Sequence, residues 1–379
     1  MNIDDMIEET FINPINDKAK TIGVEIEMPI ISRNTNIDMS KIQKMFKFLL
    51  NKGFMIWGKD NEENIISVNN LEGDKISLEY SMNTLEFSIN KSGNLFELFE
   101  KYMRYFNIIN EFLKKFEYEL VGAGINPNYK VINRKCLNDN YYNAIEKLLL
   151  MKPYKNNKLF GEFCSYCCST QTHIVPDKKN IIKYLNVFNN LADIKENIFS
   201  NSYMSELNCN NSRKILWENS NFGNYNTGKI PTLKDEKDVL EMYKNSYINI
   251  IKRNKKYIIL PKIKVAEYFN LKEIEGLTVD DEKIKITPIE NDFERYRSYR
   301  NVELSRYGTI EIRSDCTQNV KNVFNVVAFN VGISANLDEA YNKLNEKNTD
   351  KICWLKIAKK GLIRRNKGEE IFLKIGDNV

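Results

Sequence analysis

The stretch Thr21-Ile22-Gly23-Val24-Glu25-Ile26-Glu27-Met28-Pro29-Ile30 decides how the rest of the chain is read. Apolar residues occupy alternate positions, as on a half-buried strand. Residues i and i+2 of a strand share a face. Glu25 and Glu27 therefore project side by side, while Val24, Ile26 and Met28 face the other way. Carboxylates that close repel, and one of them ordinarily takes up a proton. A divalent cation removes the conflict, because hard Mg²⁺ or Mn²⁺ prefers carboxylate oxygen. The alternative is a solvated outer strand face carrying two glutamates.

The pattern returns twice. In Ile76–Ile89, two short strands flank a turn; Leu85, Phe87 and Ile89 alternate with Thr84, Glu86 and Ser88, so Glu86 lies on the polar face. In Tyr307–Asp315, Ile310 and Ile312 point one way, and Thr309, Glu311, Arg313 and Asp315 the other. An arginine between two carboxylates is either a structural ion pair or a bidentate phosphate clamp beside a metal site. The single histidine, His173, lies in the alternating run Ser169–Pro176 and shares a face with Gln171. Such a histidine is either structural or a metal ligand.

In chain order, Gly23–Glu27, Ser77–Glu79, Leu85–Ser88, Gly124–Pro127, Ser169–His173, Ser212–Trp217, Tyr299–Leu304 and Thr309–Arg313 resemble glutamate–cysteine ligases. The likeness is to the bacterial and plant-type branch and to related carboxylate–amine ligases of the glutamine-synthetase-like superfamily, over about residues 20 to 365. The resemblance implies an α+β fold with a curved, mostly antiparallel sheet flanked by helices. It implies ATP with Mg²⁺ or Mn²⁺, and amino-acid substrates that meet inside the curve. It also implies chemistry in which the side-chain carboxylate of glutamate becomes an acyl phosphate and an amine, cysteine in the best-known members, displaces the phosphate. Matching positions make Glu25, Glu27, Glu79, Glu86 and Glu311 metal-ligand candidates, with His173 as ligand or nucleotide contact. Arg313 and Arg300 match the phosphate contacts, Arg213 is a third such candidate, and Gln171 lines the substrate or nucleotide site. Plant-type relatives often carry Pro-Gly-Gly-Gln between the positions of Glu79 and Glu86; here the segment is Tyr80-Ser81-Met82-Asn83-Thr84. A ligase of the same fold acting on another carboxylate or amine is therefore an alternative, as is a relative that binds nucleotide without catalysis.

Composition bounds the rest. The 379 residues contain 8 prolines and no Ser/Gly-rich tract or long like-charge run, so residues 1–379 read as one catalytic unit. A net charge of +5 is mild at this length and does not call for nucleic acid. Arg295-Tyr296-Arg297-Ser298-Tyr299-Arg300 interleaves cations and rings as single-stranded RNA binders do, but the nearby acidic runs Asp280–Glu282 and Glu290–Asp292 would repel phosphate. The acidic N-terminus lacks a basic and apolar leader, and no apolar run approaches the ~18 residues of a membrane span, so a cytoplasmic location and no membrane partner are expected. Seven irregularly spaced cysteines suit a reducing compartment. Along a strand leading to His173, Cys167 would share the face of Gln171, with Cys164 and Cys168 opposite. Leu95, Leu98, Phe99, Tyr102, Phe106, Ile109 and Leu113 recur at helical spacing after Asn94, a plausible N-cap. Segments near 178–200, 237–252 and 318–346 also read as helices.

Overall fold

Strand β1, Ile22–Ser32, alternates buried and partly buried residues along its first half, as its sequence predicts. Around it, a computed structural model describes residues 2–33, 36–151, 157–346 and 350–366. The further strands are β2 (Met55–Lys59), β3 (Ile65–Asn69), β4 (Lys75–Leu78), β5 (Thr84–Ser92), β6 (Tyr118–Leu120), β7 (Thr170–Ile174) and β8 (Thr227–Gly228). They continue with β9 (Tyr247–Arg253), β10 (Lys256–Lys264), β11 (Ile274–Thr278), β12 (Lys283–Ile286), β13 (Tyr299–Arg300), β14 (Val302–Leu304) and β15 (Ile310–Ile312). Among the described residues, nine strands form one open sheet in the order β14-β15-β7-β1-β5-β4-β3-β2, with β6 paired to the end of β1. Every pairing in it is antiparallel. Strands β9–β12 form a second antiparallel sheet, and β8 pairs with β13 in parallel. With its helices this makes an α+β fold.

The helices cover the apolar face of the large sheet. Val24, Ile26 and Met28 pair across β1–β5 with Ile89, Phe87 and Leu85, and all six are buried. Ile310 and Ile312 extend this face on β15. Each such side chain contributes roughly 1.5–3 kcal/mol by leaving water. Helix Leu95–Lys114 lies on it: the Tyr102 ring meets Phe87 edge-on at 5.6 Å, and its hydroxyl reaches Met28 Sδ at 3.3 Å. The Asn94 side chain accepts from Phe96 N at 2.9 Å, the cap expected from sequence. Helix Val323–Ala335 is buried nearly all round and runs against helix Lys351–Asn366. Their crossing is close enough that a Cβ on Gly361 would stand 1.9 Å from the Gly332 carbonyl oxygen.

Three expectations are corrected. Residues 237–252 are not one helix: Glu236–Lys244 is helical, but Tyr247-Ile248-Asn249-Ile250-Ile251 opens β9, because a β-branched run favours a strand. Asp315 does not share the face of Glu311 and Arg313. The chain leaves β15 after Ile312, and Asp315 turns under the sheet to meet Lys195 of helix Ile181–Phe199 at 2.9 Å. The cysteine alternation also fails, because Phe163–Ser165 is a tight helical turn, so Cys164 and Cys167 line the same cavity. Among the described residues no helix is long and apolar enough to cross a membrane.

Candidate active site

The opposite face of the sheet carries the polar side chains in three cross-strand rows. In the first, Gly23 pairs with His173, His173 with Glu311, and Glu311 with Glu303. In the second, Glu25 pairs with Gln171 on one side and Ser88 on the other, and Ser88 with Lys75. In the third, Glu27 pairs with Glu86, and Glu86 with Ser77. Strands β5 and β7 flank β1, which puts Glu25 and Glu27 at the centre of the face.

Glu25, His173 and Glu311 each offer one donor atom, and these atoms lie within 4.8 Å of one another. A hard divalent cation with bonds of about 2.1 Å places opposing ligands about 4.2 Å apart, so a small closure would seat one. His173 Nε2 is 3.6 Å from Glu25 Oε1 and, though buried, makes no hydrogen bond. Its Nδ1 lies 3.1 Å from Thr309 Oγ1. That contact orients the ring and leaves the Nε2 lone pair for a cation. Burial works to raise Glu25, but the adjacent His173 imidazolium, with Arg313, holds its carboxyl down at about 2. Burial works to lower His173, yet the neighbouring carboxylates of Glu25 and Glu311 leave it raised. A cation would substitute for the imidazolium proton.

The other carboxylate candidates are held by the protein. Glu27 accepts from Ser169 N at 2.7 Å and Gln171 Nε2 at 3.0 Å. Burial, helped by the charge of Glu86, nevertheless pushes it up to about 7. Glu86 accepts from Ser88 Oγ at 2.7 Å and faces Lys75 Nζ at 3.5 Å. Glu79 follows β4 and accepts from the Tyr142 hydroxyl at 3.1 Å; burial and the charges of Glu86 and Glu27 raise it well above the carboxylate range. Among the described residues, Glu25, His173 and Glu311 are the one group whose donor atoms converge that closely.

The arginines come from separate elements. Arg313 follows β15 and is ion-paired with Glu311. Arg213 stands on helix Ser212–Asn219 and donates to the carbonyls of Ser314 at 3.1 Å and Arg313 at 3.2 Å. Arg300, on β13, donates to Ser246 Oγ at 2.6 Å. Glu303 belongs with them and was missed from sequence. It is 6% exposed, its Oε2 has no partner, and burial with the charge of Glu311 pushes it up to about 7. Its flanking Val302 and Leu304 are the alternation that could have flagged it.

Three cavities open on this face. The first, of about 480 Å³, is bounded by Glu25, His173, Lys75, Lys91, Asn16 and Tyr307. The second, about 50 Å³, lies between Gln171, Arg213, Trp217, Arg300, Arg313 and Ser314. The third, about 100 Å³, is walled by Tyr80, Tyr141, Tyr142, Trp217 and Tyr299, with Glu27, Glu79, Arg213 and Arg313 as its charged groups.

No protein-family model matches this chain, and no curated protein sequence matches it. Among solved structures, the chain is similar to a bifunctional glutathione synthetase from Pasteurella multocida, with 9% sequence identity and a TM-score of 0.41. The match covers 99% of this chain and 49% of that one, so the chain spans about half the length of that structure.

Proposed function

We propose that this chain is an ATP-dependent carboxylate–amine ligase of the glutamine-synthetase-like kind, closest in chemistry to glutamate–cysteine ligase. One observation carries the reading: a carboxylate–imidazole–carboxylate triad, Glu25, His173 and Glu311, converges within 4.8 Å on a sheet face that also gathers Arg213, Arg300 and Arg313. Cation ligands beside a guanidinium cluster are what phosphoryl transfer requires, since that chemistry rests on positioning and charge neutralisation. The sequence resemblance of the same segments supports it independently.

Glu25, His173 and Glu311 would hold Mg²⁺ or Mn²⁺, which would supply charge neutralisation for the phosphate groups. The 480 Å³ cavity is of ligand size, and its Lys75 and Lys91 suit a polyphosphate reaching toward Glu25 and His173. Arg313 and Arg300 would hold the transferred group and absorb its charge. Gln171 and Ser169 fix Glu27 in the aromatic cavity, where a carboxylate raised to about 7 can take the proton that the acceptor's ammonium loses before the free amine attacks. Glutamate is the expected acid and cysteine the first expected amine.

A different acid or amine is favoured by one feature. Where relatives carry glycines, Tyr80 adopts φ +59 and packs its ring edge-on to Tyr142 at 5.8 Å, filling one end of the aromatic cavity. Incubation with ATP, Mg²⁺ and amino-acid pools should yield an amide with ADP and phosphate. Oxygen-18 in the acid's side-chain carboxylate should appear in the phosphate. Label in AMP would make the reaction an adenylation and overturn the reading. Nucleotide binding with no amino-acid-stimulated turnover would make the chain a non-catalytic relative.

A further inference from the structure

Four residues that line the 50 Å³ cavity carry donors with no partner. Arg213 Nε, Arg300 Nη1, Trp217 Nε1 and Ser314 Oγ are all buried without a hydrogen-bond partner, and all four residues line this cavity. Arg213 and Arg300 are each 9% exposed. Buried donors left unpaired are costly, by about 1–3 kcal/mol each, so the arrangement is complete only with an acceptor in it. The carboxylates on the same wall do not serve. Glu196 and Glu218 are drawn to Lys214, at 3.1 and 3.9 Å, and Glu27 is held by Ser169 and Gln171. The cavity is far too small for a nucleotide and suits a compact oxyanion.

Arg313 also lines this cavity, but its guanidinium is engaged by Glu311, the carboxylate of the cation triad. We propose that Arg213, Trp217, Arg300 and Ser314 form an oxyanion cup that Arg313 completes, and that Glu311 links cup and cation site by binding either Arg313 or the cation. When Glu311 turns to a cation, the Arg313 fork is released to the cup, so cation and anion each raise the other's affinity. By linkage the two effects are equal. The proposal rests on the ligase reading for the anion's identity, the phosphoryl group in transfer, but not for the cup or the linkage.

Binding without turnover tests it. Sulfate is titrated calorimetrically into metal-free protein with no ATP present. Glu311→Gln frees Arg313 and should bind sulfate at least tenfold more tightly than wild type. Glu25→Gln removes the same charge but leaves the Arg313–Glu311 pair, and should gain far less. Adding Trp217→Phe to Glu311→Gln should cost several-fold in sulfate affinity. Arg313→Gln releases Glu311 and should bind Mn²⁺ several-fold more tightly than wild type, a readout that stands if Glu311→Gln folds poorly. Equal gains in the two glutamate variants would reduce the effect to net charge and overturn the linkage. No sulfate binding, or binding indifferent to Trp217→Phe, would overturn the cup. Saturation by acetate with none by sulfate would make it a carboxylate site and overturn the phosphoryl assignment. Because ATP is absent, these failures are distinguishable from a failed oxygen-18 transfer, which bears only on the ligase reading.

Discussion

His173 and Glu311 are direct partners across β7 and β15, and Glu25 approaches the same imidazole from β1 at 3.6 Å, so one ring is set between carboxylates from two neighbouring strands. Without a cation the imidazolium is what reconciles those carboxylates, and this gives the metal-free protein a defined pH signature. Glu25 has a folded value of about 2 against an ordinary 4.5. Its contribution to stability is complete above 4.5 and is lost as pH falls toward 2. His173 is raised above its ordinary 6.5, so its contribution is complete below 6.5 and is lost as pH rises through the folded value. Metal-free protein should therefore gain most from the pair between those limits. Urea midpoints measured across pH should fall on both sides for wild type and flatten for Glu25→Gln. A variant that keeps the wild-type profile would show the pair to be energetically silent.

Glu27 has the opposite sign. Its carboxyl is pushed from 4.5 up to about 7 by burial and Glu86, so the folded chain holds a proton there that the unfolded chain has released. Stability therefore falls as pH rises from 4.5 to 7. Glu27→Gln keeps the size and the Ser169 contact without the charge. It should melt higher than wild type above pH 7 and differ little near pH 4.5, while losing activity. Lower thermal stability at pH 8 would mean that Glu27 is compensated by its neighbours.

Much of this site is legible in the sequence because strand alternation is local. Glu25 with Glu27, Glu86 with Ser88, and Gln171 with His173 share faces exactly two residues apart, and the paired strands bring those faces together. What alternation cannot supply is the partner across the sheet. That Glu311 would meet His173 depends on β15 pairing with β7, a contact between segments more than 130 positions apart. For Glu303, alternation with Val302 and Leu304 marks the face, but its place in the site comes from pairing opposite Glu311. Asp315 departs from the alternation because the strand ends at Ile312, and no sequence signal marks the turn after it. The Ser212–Trp217 segment carries Arg213 on a helix, so the side chain reaches the cavity from outside the sheet.

Arg313→Lys retains the charge at the centre of the site but loses the planar fork. If Arg313 acts on the transferred group, turnover should fall by roughly thirtyfold, about 2 kcal/mol of transition-state stabilisation. The measurement is kcat and KM for nucleotide in parallel. A raised KM with unchanged kcat would place Arg313 in ground-state binding instead.

Beneath the site, Lys195 and Asp315 form an ion pair in which both side chains are 1% exposed. Asn330 joins it, donating to Asp315 Oδ2 at 2.9 Å and to Thr172 Oγ1 at 3.0 Å, so helix Val323–Ala335 is tied to β7 immediately before His173. Burial lowers Lys195, and Asp315 opposes that shift. Removing one partner strands a charge in an apolar layer, and either Lys195→Met or Asp315→Leu should cost about 3–5 kcal/mol in urea unfolding. Removing both strands nothing, and similar volumes of apolar side chain fill the space. The double variant should therefore recover to within about 1 kcal/mol of wild type or exceed it. Because Asn330 then keeps only Thr172 as a partner, any residual loss measures what that amide needs from Asp315. A double variant as unstable as the sum of the singles would mean that the pair is irreplaceable through Asn330, and that the polar network, more than apolar burial, fixes the helix beneath β7.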